Sequence, residues 1–192
     1  HQMRVTDLAC AIAKVMEVPP KQIEGIRVAG LLHDIGKIAI PTEILSKPGK
    51  LNDVEYEMIK THSKVGYNIL KKIEFPWPVA RTVLQHHERW NGTGYPHGIR
   101  GEDILLEARI LAVADVMEAM SSHRPYRPSI GADKALDEIS ENRGIKYDPA
   151  VADACIKAFT EAGFKFAPSL PGAVAEGETT PISHPAQYLE DH

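Results

Sequence analysis

The sequence predicts an all-α protein built as a helical bundle. Apolar residues recur every three to four positions along most of the chain, which is the period of one helix face. No segment of useful length alternates apolar and polar residues as a strand would. The chain has 192 residues, 43% of them hydrophobic, which is enough for one domain with a sizeable core.

Helix boundaries follow from proline, glycine and capping residues. Pro19 and Pro20 end the first helix, because proline cannot continue one, and Gly36 is the predicted stop of the second. Asn52 caps a later helix, with Glu55 three residues on as its capping-box partner. The predicted helical segments cover residues 1–17, 23–35, 41–45, 52–62, 65–70, 79–87, 104–120, 132–141 and 149–162.

The second half of the chain contains a long loop and a polar end. Residues 89–103 are rich in glycine and polar side chains, which predicts a loop. Asp148 followed by Pro149 is typical of the N-cap and first position of a helix. Proline, glycine, serine, threonine and acidic residues dominate 166–192, so we expect a poorly ordered tail after a single domain over 1–165.

Composition narrows the range of partners and compartments. A net charge of −4 gives no general attraction to DNA or to anionic membranes. No apolar run reaches the ~20 residues of a membrane span, and no signal peptide is visible, which favours the cytoplasm. Cys10 and Cys155 form no motif and are expected to be free thiols. The chain begins mid-pattern at His1 without methionine, which is typical of an N-terminally truncated fragment.

Two motifs that contain histidine carry the chemical signal. His86 and His87 are adjacent, and a glycine-rich loop that ends in Gly-Tyr-Pro at 94–96 follows them. Adjacent histidines suit a helix end, where the backbone can aim both rings at one centre. Upstream, His33 and Asp34 form a second doublet. Neutral imidazole and carboxylate are the usual ligands of borderline divalent metals, so these doublets indicate a metal site.

The full ligand set is larger than one tetrahedral metal needs. Four imidazoles and two carboxylates indicate two ions, with Asp34 giving one oxygen to each. Two ions roughly 3.5–4 Å apart can share a water, lower its pKa and direct it at phosphorus. Asp115 supports the hypothesis, because a carboxylate within an apolar helix needs a charge partner. The predicted ligands are His33, Asp34, His62, His86, His87 and Asp115.

Each of these residues alone also has an ordinary structural explanation. A buried aspartate such as Asp115 often pairs with arginine or lysine, and a lone histidine is often a surface residue. The combination of two adjacent doublets is what favours metal binding. The other histidines in the second half of the chain fit no motif and are predicted to lie on the surface: His97, His123, His184 and His192.

Four further residues are candidates for substrate binding. Lys37 lies one helical turn after His33 and could neutralise a phosphate oxygen, or it could be a solvated lysine at a helix end. Arg124 and Arg127 could bind the second phosphate of a diester, or cap the preceding helix. Tyr95 could stack on a base, form a docking surface or pack internally, and its position in the sequence does not distinguish these roles.

At these residues the chain resembles the HD-GYP family of bacterial phosphodiesterases. The resemblance covers about residues 1–165, with several long motifs in the right order. The matching segments are the Leu-Leu-His-Asp-Ile-Gly-Lys run at 31–37, Lys-Pro-Gly-Lys-Leu at 47–51, His62, the loop segment 86–96, the Ala-to-Asp run at 108–115, and Arg-Pro-Tyr-Arg at 124–127.

The resemblance implies a fold, a reaction and a set of site residues. It implies an HD-type helical bundle with a Gly-Tyr-Pro loop that hydrolyses cyclic di-GMP to pGpG, GMP or both by a metal-bridged hydroxide. Two or three divalent ions are implied, iron or manganese, with zinc or nickel as alternatives. Asp34 and Lys37 take catalytic positions, and Lys37, Arg124 and Arg127 fall on or near substrate-phosphate positions, while Tyr95 stays a candidate for substrate binding. The implied ligands are the six residues above and His1, a further histidine ahead of the His-Asp doublet.

Two departures and two alternatives accompany this resemblance. Trinuclear members carry a glutamate one turn before the position of His1, and the sequence starts after it. Asn91 stands where aspartate is common. The alternatives are a catalytically silent module that binds cyclic dinucleotides or protein, and a phosphohydrolase of another nucleotide, including cyclic GMP-AMP. Family members usually follow a receiver or sensor domain, which is therefore an expected partner.

Overall fold

The computed structural model of the chain describes residues 1–122 and 131–167. Within them the prediction of an all-α helical bundle is confirmed, and the only β-type pairing is an isolated bridge between Arg143 and Tyr147. The helices are α1 (Gln2–Val15), α2 (Pro20–Leu32), α3 (Thr42–Leu45), α4 (Asp53–Leu70), α5 (Val79–Gln85), α6 (Leu106–Ser121), α7 (Ala132–Glu141) and α8 (Pro149–Thr160).

Several predictions fall outside the described residues. These are Arg124 and Arg127, three of the predicted surface histidines, and nearly all of the predicted tail. His97 lies within the described part of the chain and is exposed, as predicted. Among the described helices, none has both the length and the apolar character needed to cross a membrane.

Both predicted helix caps are present. Asn52 Oδ1 accepts a hydrogen bond from the Glu55 amide, and Glu55 Oε2 accepts one from the Asn52 amide, each at 2.8 Å. Asp148 Oδ1 accepts a hydrogen bond from the Ala150 amide at 2.8 Å and so caps α8. These contacts satisfy backbone donors that the first turn of a helix otherwise leaves free.

The helices pack around a large and a small apolar cluster. The large cluster joins α1, the start of α2, α6, α7 and α8, and its fully buried side chains include Leu8, Ile12, Ile26, Ile110, Leu111, Met117 and Ile139. The small cluster joins α2, α4 and α5 through Ala29, Leu70, Val79 and Val83. His33 and His86, the first residues of the two doublets, directly follow the last residues of α2 and α5.

The structure corrects two details of the predicted helices. The runs predicted at 52–62 and 65–70 form one continuous helix, α4, whose small residues Ser63 and Gly66 are buried. Gly36 does not mark the end of α2. That helix ends at Leu32, and Gly36 lies within a 3₁₀ helix over Ile35–Ala39.

Gly36 is needed for a close approach between two backbones. A Cβ atom at this position would lie 1.9 Å from the carbonyl oxygen of His62 and 2.7 Å from the Gly66 amide nitrogen. No side chain fits there, so glycine allows the 3₁₀ helix to lie directly against α4. Gly66 leaves room for a side chain of α5, because a Cβ atom there would lie 2.9 Å from Cγ1 of Val83.

We predict that Gly36→Ala lowers the free energy of unfolding by about 3 kcal/mol, because the added methyl group displaces backbone rather than a flexible side chain. Urea unfolding measures the loss. Gly49→Ala is the matched control: Gly49 has a positive φ of 94° but open space around it, so its cost is about 1 kcal/mol of backbone strain. An equal cost for the two variants would contradict the close-approach explanation.

Candidate metal centre

Five parts of the fold bring the predicted ligands to one place. The end of α2, the middle of α4, the end of α5, the middle of α6 and the residue before α1 all meet there. The residues brought together are His1, His33, Asp34, His62, His86, His87 and Asp115.

Three imidazoles form the first group. The Nε2 atom of His62 lies 3.4 Å from Nε2 of His86 and 3.2 Å from Nε2 of His87. The Nδ1 atoms of His62 and His86 lie 2.7 and 2.6 Å from the carbonyl oxygens of Ile59 and Val83. A carbonyl oxygen can only accept a hydrogen bond, so Nδ1 of each of these two rings is the donor. In a neutral ring Nε2 then carries no proton and keeps its lone pair. Lone pairs that converge without a proton between them fit a metal ion.

His1, His33 and Asp115 form the second group, with ligand atoms within 4.8 Å of one another. His33 Nδ1 lies 2.6 Å from the Gly30 carbonyl oxygen, which again leaves the lone pair on Nε2. That Nε2 atom is buried and has no hydrogen-bond partner among the described residues. A buried polar atom without a partner is costly, and a bound cation would satisfy it.

Asp34 lies between the two groups. Its Oδ1 atom is 3.7 Å from His62 Nε2, and its Oδ2 atom is 3.5 Å from His33 Nε2 and 3.8 Å from His1 Nε2. Lys37 Nζ donates a hydrogen bond to Oδ2 at 2.7 Å. One carboxylate thus faces both groups with different oxygens, which fits a ligand shared by two ions.

The protonation states suit metal binding. Burial, together with neighbouring His33 and His62, lowers the pKa of His86 to about 3, so its ring is neutral at pH 7. Burial also lowers the pKa of His62 and of His87.

The two carboxylates of the site are ionised. Burial opposes the charge of Asp34, but His33 and Lys37 outweigh it and hold its pKa below the usual value. Burial likewise opposes the charge of Asp115, but a hydrogen bond from His1 holds its pKa well below the usual value. The neutral imidazoles of His62, His86 and His87, beside ionised carboxylates, are in the forms that bind divalent metals.

Sequence analysis missed Glu118, which supports His1. Glu118 lies on α6 one turn after Asp115, and its side chain is 2% exposed. It hydrogen bonds to Nδ1 of His1, while Nε2 of His1 faces Asp115 at 3.3 Å. Burial disfavours a charged His1, but these two carboxylates raise its pKa to about 9. The spacing of two acidic residues by three in an apolar helix was the available signal.

The Gly-Tyr-Pro loop folds back on the histidine doublet. The ring of Tyr95 stacks on the ring of His87, with centroids 4.6 Å apart and planes inclined by 25°. A Cβ atom on Gly94 would lie 2.4 Å from the His87 carbonyl oxygen, so only glycine permits this approach. Glu88 holds the far side of the loop by accepting a hydrogen bond from the His97 amide at 2.8 Å. Tyr95 therefore packs on a predicted ligand.

A cavity of about 310 Å³ opens beside the two groups. Lys37 and Tyr95 both line it, so two of the four predicted substrate residues reach the same space as the ligands. Its wall combines predicted ligands with aromatic and charged side chains, among them His1, His62, His87, Asp115, Tyr56, Arg89, Glu138 and Tyr147.

Comparisons with known proteins identify the family of the chain. The family model described as "HD domain" matches residues 1–151. The chain is 42% identical over 156 residues to the cyclic di-GMP phosphodiesterase response regulator RpfG of Xanthomonas campestris, which covers 80% of this chain and 41% of that protein. It is 41% identical over 159 residues to a cyclic di-GMP phosphodiesterase of Thermotoga maritima. That alignment covers 82% of this chain and 43% of the relative. The chain thus spans well under half the length of these relatives.

A third relative and two solved structures extend the comparison. The 3'3'-cGAMP-specific phosphodiesterase 3 of Vibrio cholerae is 39% identical over 158 residues, which covers 82% of this chain and 34% of that protein. Bd1817, described as an HDG"Y"P protein from Bdellovibrio bacteriovorus, matches with a TM-score of 0.69 at 22% identity, over 83% of this chain and 51% of that one. The PgpH HD domain of L. monocytogenes, solved with cyclic-di-AMP, matches with a TM-score of 0.60 at 21% identity, over 88% and 92%.

The two structures show the fold, and the family model and sequence relatives show the family. The HD-type helical bundle is therefore confirmed, and the family's phosphohydrolases depend on metal. With the HD domain matched over 151 of 192 residues, this chain belongs to the HD domain family, as a member of its HD-GYP group.

Proposed function

We propose that this chain is a metal-dependent phosphodiesterase that hydrolyses cyclic di-GMP to pGpG, GMP or both. The observation that carries the proposal is the pair of ligand groups with Asp34 between them, at the edge of a cavity. Two relatives at 41–42% identity are named as cyclic di-GMP phosphodiesterases. The complete set of ligand residues speaks against a catalytically silent binding module.

The proposed site holds two ions. His62, His86 and His87 would hold one, while His1, His33 and Asp115 would hold the other, with Asp34 shared. Ligands that are all nitrogen and oxygen suit iron or manganese, and also zinc or nickel. A third ion would need ligands beyond these two groups. When bound, such ions supply an activated water and stabilise the charge that develops on the phosphate.

The protein's own residues bind and orient the substrate in this proposal. Lys37, held by Asp34 at the cavity wall, neutralises a phosphate oxygen of the diester. Tyr95, stacked on His87, lines the cavity, so a base of the substrate can pack against its side chain. Roles for Arg124 and Arg127, a cytoplasmic location and a preceding receiver or sensor domain stay predictions.

We predict that His86→Ala abolishes both metal binding at the three-histidine group and turnover of cyclic di-GMP. His86 is fully buried, with its lone pair directed at the group, so alanine removes a ligand that no neighbour replaces. Elemental analysis and product release, measured on the same anaerobically purified sample, should show loss of about one metal equivalent and at least a ~100-fold lower rate.

The matched control is His97→Ala, because His97 is exposed and lies outside the site. It should keep both the metal and the activity. Turnover by a His86→Ala protein that lacks the metal would refute the proposed chemistry. A panel of cyclic di-GMP, cyclic GMP-AMP and mononucleotides tests the substrate, and hydrolysis of mononucleotides alone would move the protein to another class of phosphohydrolase.

We predict that Glu118→Gln lowers metal affinity about 10–100-fold while the fold stays intact. The amide keeps the shape of the carboxylate but not its charge, so the hydrogen bond that orients the His1 ring through Nδ1 becomes a weaker, neutral one. A competition titration with a chelator measures the affinity.

Glu107→Gln is the control for this prediction. Glu107 is a second buried glutamate on α6, but it accepts a hydrogen bond from Gln22 at 2.8 Å and lies away from the ligands. It should leave the metal affinity unchanged. A Glu118→Gln protein with undiminished affinity would show that His1 does not need this carboxylate.

A further inference from the structure

Arg89 is a buried cation whose charge no described residue balances. Its side chain is 6% exposed, and its Nη1 atom is buried without a hydrogen-bond partner among residues 1–122 and 131–167. Buried charges are normally paired, because removing them from water is expensive. Arg109, on neighbouring α6, shows the usual solution in this protein: it pairs with Asp148 at 2.5 Å.

The surrounding loop fixes Arg89 in this position. The Arg89 carbonyl accepts a hydrogen bond from the Gly92 amide at 2.8 Å, and the next residue, Trp90, donates its amide to the Lys146 carbonyl at 2.9 Å. Gly94 lies so close that a Cβ atom there would be 2.4 Å from the Arg89 amide nitrogen. The backbone on both sides is thus tied down, and the side chain lines the cavity that the metal ligands also line.

The neighbours of Arg89 in the cavity do not neutralise it. Its guanidinium lies 5.8 Å from the ring centroid of Tyr147, a cation–π contact without a counter-charge. Two acidic residues line the same cavity, and both have other partners. Asp115 faces His1 Nε2 at 3.3 Å. Glu138 accepts a hydrogen bond from the Tyr147 hydroxyl at 3.2 Å and lies 3.6 Å from Lys146 Nζ. An anion that enters the cavity is the partner that Arg89 lacks.

We propose that Arg89 binds a phosphate of the substrate, and specifically the phosphate that is not being hydrolysed. This inference rests on the proposed function, in which the ions and Lys37 take the phosphate that is cleaved. A cyclic dinucleotide carries a second phosphate of equal charge, and a guanidinium can grip it through two parallel hydrogen bonds. Arginine also binds the edge of guanine, but a neutral base would leave the buried charge uncompensated.

The first test measures inorganic phosphate binding to the full, metal-loaded chain by thermal shift. Wild type is compared with Arg89→Met and with the control Arg100→Met, an exposed arginine of the same loop that does not line the cavity. Because the ions contribute equally in all three proteins, the difference reports Arg89. We expect a phosphate dissociation constant about tenfold higher in Arg89→Met alone. Equal phosphate binding in all three proteins would overturn the inference.

The phosphate-free melting temperature checks that the variant folds. Arg89→Met removes a cation without a described counter-charge, so we expect its melting temperature to be no lower than that of wild type. Arg89→Lys, which keeps the charge but not the paired donors, should recover part of the phosphate affinity. An Arg89→Lys protein as weak as Arg89→Met, beside a folded Arg89→Met, would count against a phosphate contact.

The second test compares two substrates on the metal-loaded chain. We expect Arg89→Met to raise the KM for cyclic di-GMP about tenfold or more. It should leave kcat/KM for bis(p-nitrophenyl) phosphate, which has only one phosphate, within about twofold. An equal loss on both substrates, or no change on either, would overturn the assignment. A changed preference between cyclic di-GMP and cyclic GMP-AMP would assign Arg89 to a base and also overturn it.

The two tests separate this inference from the proposed function. If wild type hydrolyses neither cyclic dinucleotide, the proposed substrate is wrong. Phosphate titration still decides whether Arg89 binds an anion.

Discussion

The arrangement of the site depends on one close crossing of two backbones. Gly36 brings the 3₁₀ helix after α2 against the carbonyl of His62, with no room for a side chain between them. This crossing sets the distance between the first doublet and α4, and places Asp34 Oδ1 3.7 Å from His62 Nε2. Gly66 then lets α5 approach α4, which brings His86 to the same point. The backbone contact between the 3₁₀ helix and α4, together with the contact of Gly66 with the Val83 side chain on α5, thus defines where the candidate ligands meet.

Backbone carbonyls near helix ends orient the imidazoles. His33 and His86 stand at the C-terminal ends of α2 and α5, where the last carbonyls have no partner within the helix. Each ring uses one of them, donating Nδ1–H to the carbonyl three residues earlier, and His62 makes the same contact within α4. One hydrogen bond therefore satisfies a carbonyl at the end of the helix and also orients the imidazole of a candidate metal ligand. This arrangement explains why adjacent doublets can occur at helix ends without strain.

Most of the fold and most of the candidate ligands could be predicted from the sequence, because they depend on short-range patterns of residue type and spacing. Helical periodicity locates the helices, and the caps at Asn52 and Asp148 follow from residue type and spacing alone. Gly36 was misassigned as a helix stop, because its real constraint comes from His62, 26 residues later. The three-residue spacing from Asp115 marks Glu118 as a candidate, but the sequence does not identify its partner, because His1 lies 117 residues away. The sequence shows Arg89 only as a polar residue of a loop, and its burial is seen only in the structure.

The charge distribution makes anion binding conditional on the metal ions. Asp34, Asp115 and Glu118 place three carboxylates around the ligand groups of a chain that is already acidic overall. Their combined field repels a phosphate diester, and Lys37 is partly neutralised by its hydrogen bond to Asp34. Divalent ions bound among these carboxylates reverse the local sign, because an ion is the largest charge in such a site. Arg89 Nη1 has no hydrogen-bond partner among the described residues, so its positive charge does not depend on the metal ions. Under the proposed function, the cavity would offer an anion the positive charge of the metal ions and that of Arg89, and a substrate with two phosphates could use both.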